Sequence, residues 1–192
     1  MNTLIIEQTD NGDVSFDVFS KLIESRILFL SNYIDDTVAT DIAATLLYLD
    51  NDNDKNKISL YINSEGGNIQ SVFMIYDIMQ LIHSPIETFC IGSAQKEASL
   101  ILAAGTKGMR YATQSSIVSI NQLLHGGSSY SDITNAEIIL EKSKKDNHNF
   151  IEALSKCTGK SIKLLEKETE REFFLFAEDA KKFGIIDNVI KN

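Results

Sequence analysis

Twice in this chain a strand-like apolar run breaks on a turn and passes straight into a helical stretch, and this order limits the available architectures more than any other feature. In the first case Ile58, Leu60 and Ile62 alternate with Ser59 and Tyr61, so one face covers a core and the other shows Tyr61. Gly66 and Gly67 then turn the chain into a stripe of Ile69, Val72, Phe73, Tyr76, Met79 and Leu81. In the second case a strand over 86–91, entered from Pro85, leads through an elbow into a helix over 97–104. Strands alternating with helices imply parallel pairing through right-handed crossovers, an α/β fold.

The flanking segments fit the same plan. Ile27 to Leu30 reads as a buried strand, and Asp35 and Asp36 offer N-cap oxygens to a helix carrying Val38, Ile42, Leu46, Leu47 and Leu49. The polar run Asp50 to Asp54 reads as a loop. Two further strands are expected at Met109–Ala112 and Ile117–Ile120, and a long helix from about Thr134 to Lys156. That helix has an apolar start (Ala136, Ile139, Leu140) and an apolar end (Phe150, Ala153, Leu154), with a polar middle from Glu141 to Asn149. One small core does not satisfy such a helix, so its first turns are expected to meet a partner.

A chain of 192 residues that is 43% apolar suits a single domain over 1–192. The net charge of −9 argues against a nucleic-acid surface, for which Lys142, Lys144 and Lys145 are too small a cluster. Its longest apolar stretch, around Ala98 to Ala104, is too short to span a bilayer, and the first residues, Met1 to Ile6, contain no basic leader. Neither a membrane nor a nucleic-acid partner is expected; a cytoplasmic setting, or an organelle stroma or matrix, is. Cys90 and Cys157 suggest small apolar fillers, with no metal site and no cofactor.

An ordered series of motifs resembles the proteolytic subunits of the Clp protease family. It comprises Ser25-Arg26-Ile27-Leu28-Phe29-Leu30, Ile34-Asp35-Asp36, Tyr61 through Gly67, Tyr76-Asp77-Ile78-Met79-Gln80, Cys90 through Ser99, Ala103 through Arg110, Thr158-Gly159, Glu170-Arg171-Glu172-Phe173, Ala177-Glu178-Asp179-Ala180 and Gly184-Ile185-Ile186-Asp187. The resemblance implies a ClpP/crotonase-like fold of repeated β-β-α units with a protruding handle, here about 122–157. It also implies the family's Ser-His-Asp triad, yet the matching positions hold Lys96, Asn121 and Glu172. The expected protein is therefore similar to the inactive, ClpR-type members.

The substitutions bear directly on mechanism. Triad catalysis needs an activated hydroxyl, a base and an orienting carboxylate. Lys96 supplies no hydroxyl and Asn121 no base near neutral pH. The histidine next along the chain, His125, is about 13 Å of extended backbone further on. Lys96 is long enough to enter the room left by a shorter Asn121 and pair with Glu172, which reaches further than an aspartate. The resemblance puts the oxyanion donors at the backbone N–H groups of Gly67 and Glu97. Being backbone, this hole is expected to survive, open to an anion or a peptide carbonyl, although the Glu97 carboxylate disfavours negative charge beside it.

The family likeness further implies oligomerisation through Glu170 and Arg171, stacked seven-membered rings, alone or mixed with an active Clp subunit, and docking of a Clp ATPase near Tyr61 and Tyr111. Ser59 and Leu81 fall where the family often has aromatics. Two rival readings stay open: an active serine-type peptidase using Ser93 or Ser99 with Lys96, and an acyl-CoA-binding crotonase-like protein.

Overall fold

The computed structural model describes residues 4–9, 12–121, 133–171 and 173–191. The order is β1 (Leu4–Thr9), β2 (Gly12–Asp17), α1 (Val18–Glu24), β3 (Ile27–Ile34), α2 (Asp36–Asp52), β4 (Ile58–Gly67), α3 (Ile69–Leu81), β5 (Ile86–Ala94), α4 (Ala98–Ala103), β6 (Arg110–Thr113), β7 (Ile117–Ile120), α5 (Ile133–Thr158), α6 (Ile162–Thr169), β8 (Phe173–Phe176), α7 (Ala177–Phe183) and β9 (Asn188–Ile190). β1 and β2 form a separate antiparallel pair. The main sheet runs β3-β4-β5-β6-β9, all parallel, as the strand–helix alternation predicts.

The sheet forks along β5. Its first half pairs with β6 through Thr88, Phe89 and Cys90, while its last residues, Ser93 and Ala94, pair with β7, which in turn holds β8 antiparallel. Gly92 sits at the fork with φ +90°, and a side chain there would meet the Asn63 Oδ1 atom at 2.7 Å, so glycine serves both conformation and space. The same Asn63 oxygen accepts the Ser93 N–H at 3.1 Å. The end of β5 is thereby swung onto β7.

The core lies between the sheet and its helices. Ile58, Leu60 and Ile62 are fully buried, as are Leu30, Ile34, Leu46, Ile75 and Phe150. All six residues of α4 are buried, which explains why its sequence, apolar but for Ser99, is not striped. Leu81 departs from the expected stripe of α3: it is 68% exposed, and Ile75 takes the core position instead.

α2 also runs further than the polar sequence suggests, through Asp52. Helix ends need partners for their free carbonyls, and the Arg26 guanidinium binds this end, donating to the carbonyls of Leu49 in the last turn at 2.9 Å, the C-cap Asn53 at 2.9 Å and Asn56 in the loop beyond at 3.1 Å. Asp50, read as loop, caps the next connection by accepting the N–H groups of His83 and Ser84. Asp35 is the N-cap of α2, accepting the Val38 N–H, whereas Asp36 accepts the Ser71 hydroxyl from α3.

Candidate functional site

The candidate site is the turn from β5 into α4. Lys96 sits at its apex with φ 51°, one of three non-glycine residues with positive φ among the described residues. A side chain in that region costs about 1–2 kcal/mol and persists only where surrounding bonds enforce it. Here Gln95 N–H is held by the Ser64 carbonyl at 2.9 Å, and Lys96 N–H by the Ser119 hydroxyl at 3.3 Å. The Lys96 carbonyl accepts both the N–H and the hydroxyl of Ser99, at 3.1 and 2.6 Å. The result is a tight strand-to-helix elbow that presents one half-buried side chain at its tip, and that side chain is an ammonium.

β7 reaches the elbow through Ser119. Asn121 follows at the end of that strand, half-buried and of the same strand parity as Ser119. Glu172, the expected partner of Lys96, lies outside the described residues, as does His125. The fork in the sheet is what brings the ends of β5 and β7 together.

On the other side of the elbow stand Gly66 and Gly67. Gly67 is pressed against β3 so closely that a side-chain carbon would lie 2.2 Å from the Ile34 carbonyl oxygen. Gly66, at φ +108°, leaves the space next to it to Glu97: an added carbon would lie 2.5 Å from the Glu97 Oε2 atom. That oxygen accepts the Gly67 N–H at 3.1 Å, and Glu97 is only 8% exposed. The Gly67 donor, expected to be open, is thus engaged by a carboxylate of the same chain.

The other nucleophile candidates have structural occupations. Ser99 is fully buried, its hydroxyl donated to the Lys96 carbonyl. Ser93 is half-buried on the last stretch of β5, before the elbow apex. Burial pushes the Cys90 thiol up to about 11, far from the thiolate range at neutral pH. Cys157 is only half-buried, a departure from the buried filler the sequence suggests, and burial raises its thiol as well. Among the described residues no cluster of His, Cys, Asp or Glu could hold a metal ion, and no helix is long and apolar enough to cross a membrane.

The family model for Clp protease matches residues 10–192. The chain belongs to the Clp protease family. Its α/β architecture with a mainly parallel sheet fits the ClpP fold.

Two other surfaces of this Clp-family chain stand out. On the sheet face away from the core, Phe29, Tyr61, Phe89 and Tyr111 occupy one register across β3, β4, β5 and β6. Their rings stack at centroid distances of 5.2, 4.7 and 5.0 Å, and Phe19 of α1 closes the row edge-on at 6.0 Å. Sequence reading picked out Tyr61 and Tyr111 but not Phe29 and Phe89, because only the parallel register reveals that all four are lateral neighbours. Beside the ladder Ser59 donates to the Glu87 carboxylate, which also binds Lys57 at 3.0 Å. The second surface is the start of α5, where residues 134–142 are exposed, Ile138 by 62% and Leu140 by 54%. Glu170, at the C-cap of α6, and Arg171 are exposed as well.

Proposed function

We propose that this Clp-family chain is a non-catalytic subunit, a single ClpP-like domain that takes a place in a proteolytic ring without cutting peptides itself. The observation that supports this best is the side chain at the elbow apex, Lys96. On this reading the triad positions fall on Lys96, Asn121 and Glu172, so nucleophile and base are both missing. On this reading the Lys96 ammonium pairs with Glu172 beside Asn121. The rival peptidase reading needs a serine under the oxyanion donors, and the buried, bonded hydroxyl of Ser99 counts against it. The match along almost the whole chain favours the peptidase branch over acyl-CoA binding.

Assembly follows from what the fold leaves uncovered. A helix start exposed on all sides and bearing Ile138, Ile139 and Leu140 gains its stability from packing against something else. The reading makes α5, with the segment from about 122, the handle joining two stacked heptameric rings, with Glu170 and Arg171 contributing to the ring contacts. The aromatic ladder through Tyr61 and Tyr111 is the proposed docking face for a Clp ATPase, altered by the polar Ser59–Glu87–Lys57 group at its margin. The cytoplasm, or an organelle stroma or matrix, is the proposed location.

The test is co-expression with an active Clp subunit from the same cell. The tagged chain is expected to co-purify in rings with that subunit. The variant carrying Ile138→Asp and Leu140→Asp is expected to fall to about half the particle mass in light scattering, because two charges at the ring-to-ring contact are left without partners. A monomer unaffected by these substitutions would contradict the assembly reading.

A further inference from the structure

Losing a triad leaves the backbone of a hydrolase pocket intact, so an inert subunit of this kind is expected to retain an open hole for a peptide carbonyl. In this chain that space is filled. The Glu97 carboxylate accepts the Gly67 N–H at 3.1 Å, is 8% exposed, and occupies the gap that the missing side chain of Gly66 leaves. Gly67 is held in place on β3: it pairs with Ile34, a side-chain carbon added at it would lie 2.2 Å from the Ile34 carbonyl oxygen, and the next N–H, of Asn68, is bonded to that carbonyl at 2.8 Å.

We propose that Glu97 is a built-in occupant of the oxyanion pocket, closing it to carbonyls and anions independently of the lost triad. The inference rests on the reading of Gly67 as the family's oxyanion donor. An incoming carbonyl oxygen has to displace a hydrogen-bonded carboxylate from this donor and then lie beside its negative charge, and an oxyanion has to do so carrying a like charge. Glu97 is thus a specificity-determining residue: it rejects the ligand class that the family's pocket is shaped to bind. The chain carries two separate blocks on hydrolysis, one at the nucleophile and base, the other at the oxyanion site.

Two full-chain variants separate the contact from general disturbance. Glu97→Ala removes the acceptor, whereas Glu97→Gln keeps a side-chain oxygen that accepts the same N–H. Amide hydrogen exchange at Gly67, read residue by residue after fragmentation in a mass spectrometer, is expected to speed up about tenfold or more in the alanine variant and to stay near the parent rate in the glutamine variant. Unchanged exchange in Glu97→Ala overturns the proposal. A second arm places the family triad in the chain (Lys96→Ser, Asn121→His, Glu172→Asp) and measures labelling at position 96 by a fluorophosphonate. Adding Glu97→Ala is expected to raise the labelling rate about 100-fold, the scale of one oxyanion donor regained. Equal rates with and without Glu97, or no labelling in either, overturn it. The two readings fail separately: an adduct on the unaltered chain contradicts the inert subunit, whereas unaltered Gly67 exchange contradicts only the plug.

Discussion

Replacing Asp187 with alanine is expected to destabilise the chain by about 3–5 kcal/mol, the usual cost of removing one member of a buried ion pair. Asp187 and Arg110 form a two-pronged pair, with Nη2 to Oδ1 at 2.7 Å and Nε to Oδ2 at 2.8 Å, and Arg110 is 4% exposed. The same guanidinium donates to the Ala103 carbonyl at the end of α4 and the Cys157 carbonyl near the end of α5, and Asp187 also accepts the N–H groups of Gly108 and Arg110. Three segments distant in sequence are tied at one point, so the loss is felt in the whole core. Urea titration at a fixed chain concentration measures it as a lowered midpoint. Asp187→Asn is expected to cost less, because its amide oxygen still accepts from the backbone.

The pair also sets a pH dependence. The hydrogen bonds from Arg110, with its charge and the backbone donors, hold the Asp187 carboxyl below its ordinary value of 3.8 against the opposing effect of burial. A carboxyl whose folded pKa lies below its unfolded one contributes stability that is fully present above the unfolded value and lost as pH falls through the folded one. The gap between parent and Asp187→Ala is therefore expected to be constant near neutrality and to narrow only below about pH 4. A gap that shrank between pH 8 and pH 6 would contradict the assignment to this carboxyl.

Restoring the nucleophile alone is expected to restore nothing measurable. With Lys96→Ser the elbow presents a hydroxyl, but on the proposed assignment of Asn121 to the base position no group there takes its proton, and the members of a triad act as a unit. Loss of the base alone lowers turnover by on the order of a million-fold relative to an intact triad. In a fluorogenic peptide assay the Lys96→Ser chain is expected to match the unaltered chain and to fall that far short of an active Clp subunit. A rate within about a thousandfold of the active subunit would show that another group supplies the base.

Much of this arrangement was legible in the sequence because it is local. The alternation in Ile58, Leu60 and Ile62, the apolar run of α4 and the glycines before α3 each betray an element by its neighbours in the chain, and the ordered motifs gave the family. What escaped reading depends on distant partners. The polar residues Asp50 to Asp52 continue a helix whose end is tied down by Arg26, more than twenty residues earlier, through the carbonyls of Leu49 and the C-cap Asn53. The aromatic ladder exists only in the register of four parallel strands. β1, β2 and α1 went unread for the opposite reason: α1 has no buried residue, so no core-facing period marks it. Glu97 was seen as a charge beside the oxyanion site, but its bond to Gly67 spans thirty residues and required the fold.

The most direct test of the central claim is exposure of the purified chain to a serine-reactive fluorophosphonate, followed by intact-mass and peptide analysis. An apex that carries an ammonium instead of a hydroxyl predicts no adduct under conditions that label an active Clp subunit to completion. An adduct on Ser93 or Ser99 would contradict it, by showing a serine placed for attack and activated by some base.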